Sequence, residues 1–135
     1  MPNIRPLNKK YNIGKHRYEE LRHFCMQYGE WKEELESLTD TVKAINYSEE
    51  IKGNSTKSAT EELAIRRAEL REKCELVERA ALEADSELYE YILEGVTEEY
   101  ASFKYLKYRK NMPCGKNTYS NRRAKFFCIL SKRKK

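Results

Sequence analysis

Two runs of apolar residues repeat on a strict seven-residue spacing, and no other feature constrains the fold of this chain as tightly. In the first run Leu21, Tyr28, Leu35 and Val42 hold one position, and Phe24, Trp31, Leu38 and Ile45 hold the other. Alternating steps of three and four keep a narrow stripe on one side of a helix, the seam for a partner helix. The second run places Leu63, Leu70, Val77 and Ala84 on one position, with Arg67, Cys74, Ala81 and Leu88 interleaved. The spacing predicts one helix over 15–46 and a second over 59–84. Gly29 is a candidate bend or break in the first, at a cost of about 1 kcal/mol against Ala. Phe24, Tyr28 and Trp31 are too bulky for a tidy parallel dimer. The small Cys74, Ala81 and Ala84 offer room to receive them, so the two seams are expected to meet as an antiparallel hairpin within one chain.

Composition agrees with long helices. Ala, Glu, Lys, Leu and Arg supply half of the 135 residues, whereas Gly and Pro number only 5 and 3. That scarcity of turn formers excludes an all-β sandwich. No apolar run approaches the roughly 18–20 residues of a membrane span. MPNIRPLNKK lacks the apolar core of a secretory signal. A soluble, cytoplasmic protein without membrane contact is expected.

Residues 47–58, YSEEIKGNSTKS, read as a linker centred on Gly53, Asn54 and Ser55. Ser58-Ala-Thr-Glu61 then matches a capping box at the start of the second helix. Asp85-Ser86 is expected to cap a short helix that carries Leu88, Tyr91 and Ile92 and stops at Gly95. Thr97 is expected to cap the next, with Glu98 and Glu99 in its first turn and Tyr100, Phe103 and Leu106 on its buried side. A turn containing Asn111, Pro113 and Gly115 separates it from a last helix, ending near Ser131, that buries Tyr119, Phe126, Phe127 and Leu130. The predicted class is all-α: a long antiparallel helical hairpin followed by a small C-terminal helix-turn-helix bundle. The expected divisions are a basic arm over 1–14, the hairpin over 15–84, the helix-turn-helix region over 85–131 and a basic tail over 132–135.

Charge divides along the same lines. The formal net charge of +5 resolves into +5 over residues 1–18, −4 over 19–58, −8 over 59–99 and +12 over 100–135. The last stretch holds twelve basic and no acidic side chains. A solvated tail would account for the charge alone, but disordered basic tails lack the Tyr, Phe, Ile and Leu residues interleaved here. A polyanion-binding end and a separate acidic body follow.

A helix, a short turn and a second helix suit major-groove recognition. Lys116, Asn117, Ser120, Asn121 and Arg122 fall in the first two turns of the second helix, where Asn can pair with adenine and Arg with guanine. Thr118, Arg123 and Lys125, with Lys104, Lys107, Arg109 and Lys110 from the preceding helix, are candidate phosphate contacts. The same residues would serve RNA if the tyrosines stacked on unpaired bases. Tyr119, Phe126 and Phe127 sit at core spacing, which favours duplex DNA.

The strings Val96-Thr-Glu-Glu-Tyr-Ala-Ser-Phe-Lys-Tyr-Leu106 and Met112-Pro-Cys-Gly-Lys-Asn-Thr-Tyr-Ser-Asn-Arg-Arg-Ala-Lys-Phe-Phe127 resemble small phage and prophage proteins of Gram-positive bacteria. They are also similar to the carboxy-terminal part of RinA/ArpU-type phage transcriptional regulators, which resembles the last DNA-binding region of sigma factors. There a Ser-x-x-Thr segment opens the recognition helix; here Gly115-Lys-Asn-Thr118 stands in that place. The likeness covers about the last 40 residues. It implies a phage-encoded regulator acting in a bacterial host cell on double-stranded DNA. The hairpin is then expected to mediate self-association or contact with the transcription machinery, host RNA polymerase being a candidate partner. A small terminase-like packaging subunit and a protein that inhibits a host nucleic-acid enzyme are the alternatives.

No enzymatic site is expected. Cys25, Cys74, Cys114 and Cys128 contain no Cys-x-x-Cys pair, which argues against structural zinc. Cys25 and Cys74 are expected as packed thiols. His16 and His23 stand two helical turns apart, too far to share a metal. No Gly-rich phosphate loop or nucleophile motif occurs. No cofactor, metal or catalytic residue is assigned.

Overall fold

The computed structural model describes the backbone of residues 11–52 and 57–134 and the side chains of 11–44 and 59–134. Among them the chain is all-α, with six helices and no strand: α1 (Lys15–Met26), α2 (Tyr28–Lys52), α3 (Lys57–Ala84), α4 (Tyr89–Thr97), α5 (Phe103–Tyr108) and α6 (Lys116–Arg133). Gly53, Asn54 and Ser55, the side chains of Ile45 and Ser58, and the basic Arg5, Lys9 and Lys10 lie outside the described residues.

The expected first helix is interrupted and forms two, α1 and α2. The break falls at Gln27, where the backbone amide turns back to the Phe24 carbonyl at 3.2 Å, and not at Gly29, which lies inside α2. The far end of α2 also departs from expectation. It continues through Lys52, because Ser48, Glu49, Glu50 and Ile51 contain no helix breaker and Gly53 is the first residue that does.

The chain forms two compact units, one of Met1–Tyr28 with Leu76–Lys135 and one of Gly29–Glu75. In the second, α2 lies antiparallel to the first part of α3. Trp31 sits beneath the Lys73 ammonium at 5.5 Å, and Glu34 takes both Nε and a terminal nitrogen of Arg66 at 2.8 and 3.0 Å. Later residues of α2 therefore face earlier residues of α3. Trp31, Leu70 and Cys74 are buried there, while Leu35, Leu38, Val42 and Leu63 on the same seam are half-buried.

The first unit gathers α1, the end of α3 and α4–α6. In α1 the buried residues are Leu21 and Cys25, four apart, while Phe24 is only half-buried. A helix packed against both α4 and α6 needs a broader stripe than a single seam supplies, so the heptad step to Phe24 gives way to the α-helical step to Cys25. Phe24 instead lies under the Lys134 ammonium at 4.9 Å. Ile13, placed by sequence in a basic arm, is buried in the core. Phe126 and Phe127 of α6 are fully buried, and Phe127 meets Tyr18 edge to face at 5.0 Å. Arg17 fastens α1 to the end of α6, donating from Nε to the Ser131 hydroxyl at 3.1 Å and from a terminal nitrogen to the Ser131 carbonyl at 2.9 Å.

Candidate nucleic-acid interface

The basic end is built on α4. Asp85 closes the turn before it, accepting from the Glu87 and Leu88 amides at 2.9 and 3.1 Å. The helix does not stop at Gly95. It runs to Thr97, whose hydroxyl donates back to the Leu93 carbonyl at 2.7 Å and so does not cap a following helix. Glycine inside a helix costs about 1 kcal/mol against Ala, and close approach explains it here. A Cβ on Gly95 would overlap the Tyr119 hydroxyl and lie 3.3 Å from Leu106 Cδ1. The bare backbone therefore admits the Tyr119 ring of α6, which Phe103 of α5 meets from another side at 6.0 Å. Burial raises the Tyr119 phenol above its usual pKa.

The cap of α5 is Ser102, accepting from the Tyr105 amide at 3.2 Å. Tyr100 consequently lies in the loop before α5, 55% exposed, not on a buried helix face. Residues 109–115 form the turn to α6. Asn111 takes a left-handed conformation (φ 58°), which Asn tolerates better than most residues. Met112 is buried and its amide reaches the Leu106 carbonyl at 3.0 Å. This buried anchor was not anticipated; a lone Met among turn formers carries no periodic signal.

Gly115 is the N-cap of α6 in extended backbone (φ −89°, ψ 176°), with no side-chain cap and no acid in the first turn. Lys116, Asn117, Thr118, Ser120 and Asn121 are exposed. From Arg122 to Ser131 every residue is buried or half-buried, so the accessible stretch of α6 before its end is confined to its first two turns. Those turns carry side chains and open amides suited to bases and phosphates.

The twelve residues expected to touch DNA divide into two groups. Lys104, Arg109, Lys116, Asn117, Thr118, Ser120 and Asn121 are exposed and hold no partner among the described residues; Lys125 is half-buried. The other four are engaged within the protein. Arg122 donates from Nε to Asp85 Oδ2 at 2.9 Å. Burial pushes the Asp85 carboxyl up, but hydrogen bonds from the Leu88 amide, Arg122 and the Glu87 amide outweigh it and hold the group below the usual carboxylate range. Arg123 turns toward α1, donating to the Tyr18 hydroxyl at 3.0 Å and lying 4.9 Å over the Phe127 ring. The Lys107 ammonium donates to the Met112 carbonyl at 3.2 Å and braces the turn. Lys110 lies 5.9 Å over the Tyr105 ring. Sequence spacing placed these four on the helices without showing which neighbours would claim them, and α5 ends at Tyr108, so Arg109 and Lys110 lie in the turn after it and not on the helix.

An open cleft of about 240 Å³ adjoins Tyr119 and is lined by Arg22, Glu98, Glu99, Ser102 and Phe103 among others. Its mixed charge distinguishes it from the basic face. Cys25 and Cys74 are buried, and burial pushes the Cys25 thiol up to about 12. Among the described residues no three His, Cys, Asp or Glu side chains gather where a metal ion could sit, and no helix is long and apolar enough to cross a membrane.

Comparison with known protein families, with curated proteins and with solved structures finds no match to this chain.

Proposed function

We propose that this protein binds double-stranded DNA through the first two turns of α6, as a non-enzymatic transcriptional regulator of phage or prophage type. The observation that carries the reading is the set of exposed side chains Lys116, Asn117, Thr118, Ser120 and Asn121 on a helix that its own unit encloses from Arg122 to Ser131, within a stretch of twelve basic and no acidic side chains. Asn117 and Asn121 are the candidates for base edges. Lys104, Arg109, Lys116 and Thr118 are the candidates for phosphates. Arg122 and Arg123 support this surface from within, one on Asp85 and one on α1. The half-exposed Leu35, Leu38, Val42 and Leu63 would serve self-association or contact with the transcription machinery.

Titration of labelled duplex DNA at several salt concentrations tests the reading. Affinity should fall steeply as salt rises, because each neutralised phosphate releases counterions. Asn121→Ala should weaken discrimination between sequences. Lys104→Ala and Lys116→Ala should weaken all duplexes alike and each reduce the salt slope by about 1. No binding at low salt, or binding indifferent to salt, overturns it.

A further inference from the structure

The most exposed aromatic side chain of this unit is not on α6. Tyr108, at the end of α5, is 75% exposed. Beside it on the short helix, Tyr105 meets Tyr100 edge to face at 5.0 Å and 78°. Tyr100 is held by its hydroxyl, which donates to Glu94 at 3.0 Å. Lys104 stands one turn before Tyr108, Arg109 directly follows it, and both are exposed with no partner among the described residues. Leu106 is the fully buried anchor that fixes this helix to the core, so the tyrosines are presented from a rigid base.

An exposed ring flanked by cations matches one ligand chemistry well. A base that has left its own stack offers a flat π-face to the ring, and the adjoining phosphates are drawn to the ammonium and guanidinium groups. A duplex offers no free base face except at its ends. An acidic protein partner would satisfy the cations, but it would leave the broad face of Tyr108 without a flat counterpart.

We infer that Tyr108 forms a stacking platform for an unpaired base of single-stranded nucleic acid, with Lys104 and Arg109 holding the neighbouring phosphates. This rests on the nucleic-acid reading above for its polyanion and shares Lys104 and Arg109 with it, but it assigns a separate aromatic contact and a separate ligand.

Fluorescence anisotropy of the full chain tests it, using labelled oligothymidylate and oligouridylate of about 12 nucleotides and a duplex, at low salt. Tyr108→Ala should weaken the single strands about tenfold, within the range measured when aromatic stacking partners are truncated. Tyr108→Phe should retain affinity, since the ring and not the hydroxyl carries the contact. Duplex affinity should be unchanged by either substitution. Comparing the two oligonucleotides separates RNA from DNA as the source of the bases. Equal single-strand affinity in Tyr108→Ala, equal losses for single strand and duplex, or no single-strand binding by the parent chain would each overturn the platform. Single-strand binding that depends on Tyr108 in a chain that ignores duplex would sustain the platform and defeat the duplex reading. Duplex binding with no effect of Tyr108→Ala on single strands would do the reverse.

Discussion

Phe126 and Phe127 are wholly buried in the unit that carries α6, with their rings edge to face at 5.0 Å, and Arg123 is laid over the second ring. The hairpin unit of Gly29–Glu75 buries only Trp31, Leu70 and Cys74 among its described apolar residues, and adds the Glu34–Arg66 pair and the Lys73–Trp31 contact at its surface. The difference is one of geometry. Two helices cover each other along a single line, whereas α1, α4 and α6 enclose side chains from several directions. A cavity in the many-sided core has rigid walls and stays open; one in a two-helix seam can close by a small movement of either helix.

The largest expected effect breaks that comparison most directly. Phe127→Ala should destabilise the protein by about 3–5 kcal/mol, and Leu70→Ala in the hairpin by about 2 kcal/mol, the lower end for a buried Leu, because its seam can collapse. Chemical denaturation followed by ellipticity measures both. Equal costs would mean that the hairpin is as rigidly enclosed as the α6 core. Next comes Gly95→Ala. Its methyl group meets the Tyr119 hydroxyl, so overpacking should cost about 1–3 kcal/mol even though Ala is the better helix former. Adding Tyr119→Phe should recover much of that loss, because the overlapping oxygen is gone. A stabilised Gly95→Ala variant would show that α4 and α6 are not packed as tightly as described.

Asp85 sharpens the comparison on the electrostatic side. Its carboxyl is depressed in the folded state, so the stability it contributes is fully present above the unfolded value near pH 4 and is lost as pH falls through the folded value. Asp85→Ala should cost about 1 kcal/mol through the lost turn closure. It should also flatten the acid limb of the pH–stability curve. The exposed hairpin pair is expected to be weaker. A double-mutant cycle on Glu34 and Arg66 should return about 0.2–1 kcal/mol, diminished by salt. A coupling well above that would place the pair in a more enclosed setting than its half-exposed side chains indicate.

The heptads made the hairpin legible, and the spacing of Tyr119, Phe126, Phe127 and Leu130 made the buried face of α6 legible, because both are periodic over several turns. What escaped depends on contacts between distant segments. Over the 12 residues of α1, the 3.5-residue and 3.6-residue stripes diverge by a single position, and only packing against α4 and α6 selects Cys25 over Phe24. Gly95 reads locally as a helix stop; its use as clearance for Tyr119 involves a residue 24 positions later. Thr97 and Ser102 are both good caps, and the choice rests on where the loop must deliver Phe103. Ile13 and Met112 are single apolar residues in polar stretches, without a period to betray their burial. Among the site residues, exposure of Lys116, Asn117, Thr118, Ser120 and Asn121 followed from the helix phase. The capture of Arg122 by Asp85 and of Arg123 by Tyr18 did not, since those partners lie 37 and 105 positions away.

The smallest expected effect bears most closely on the site. Gly115 caps α6 without a side chain, and a Cβ there would meet nothing within 4 Å. Its φ of −89° suits any L-residue. Gly115→Ser should therefore add a hydroxyl that accepts from the Asn117 or Thr118 amide, stabilising the fold by a few tenths of a kcal/mol. Those amides are the same donors that a phosphate would meet at the start of α6. If duplex DNA docks there, the serine variant should be slightly more stable and bind duplex more weakly, because its own oxygen competes with the phosphate. Tyr108-dependent binding of single strands should be untouched. Thermal denaturation and duplex titration on the same preparation read the two effects together. A variant gaining stability with no loss of duplex affinity would move the phosphate contact away from the α6 amides and onto Lys104, Arg109 and Lys116 alone.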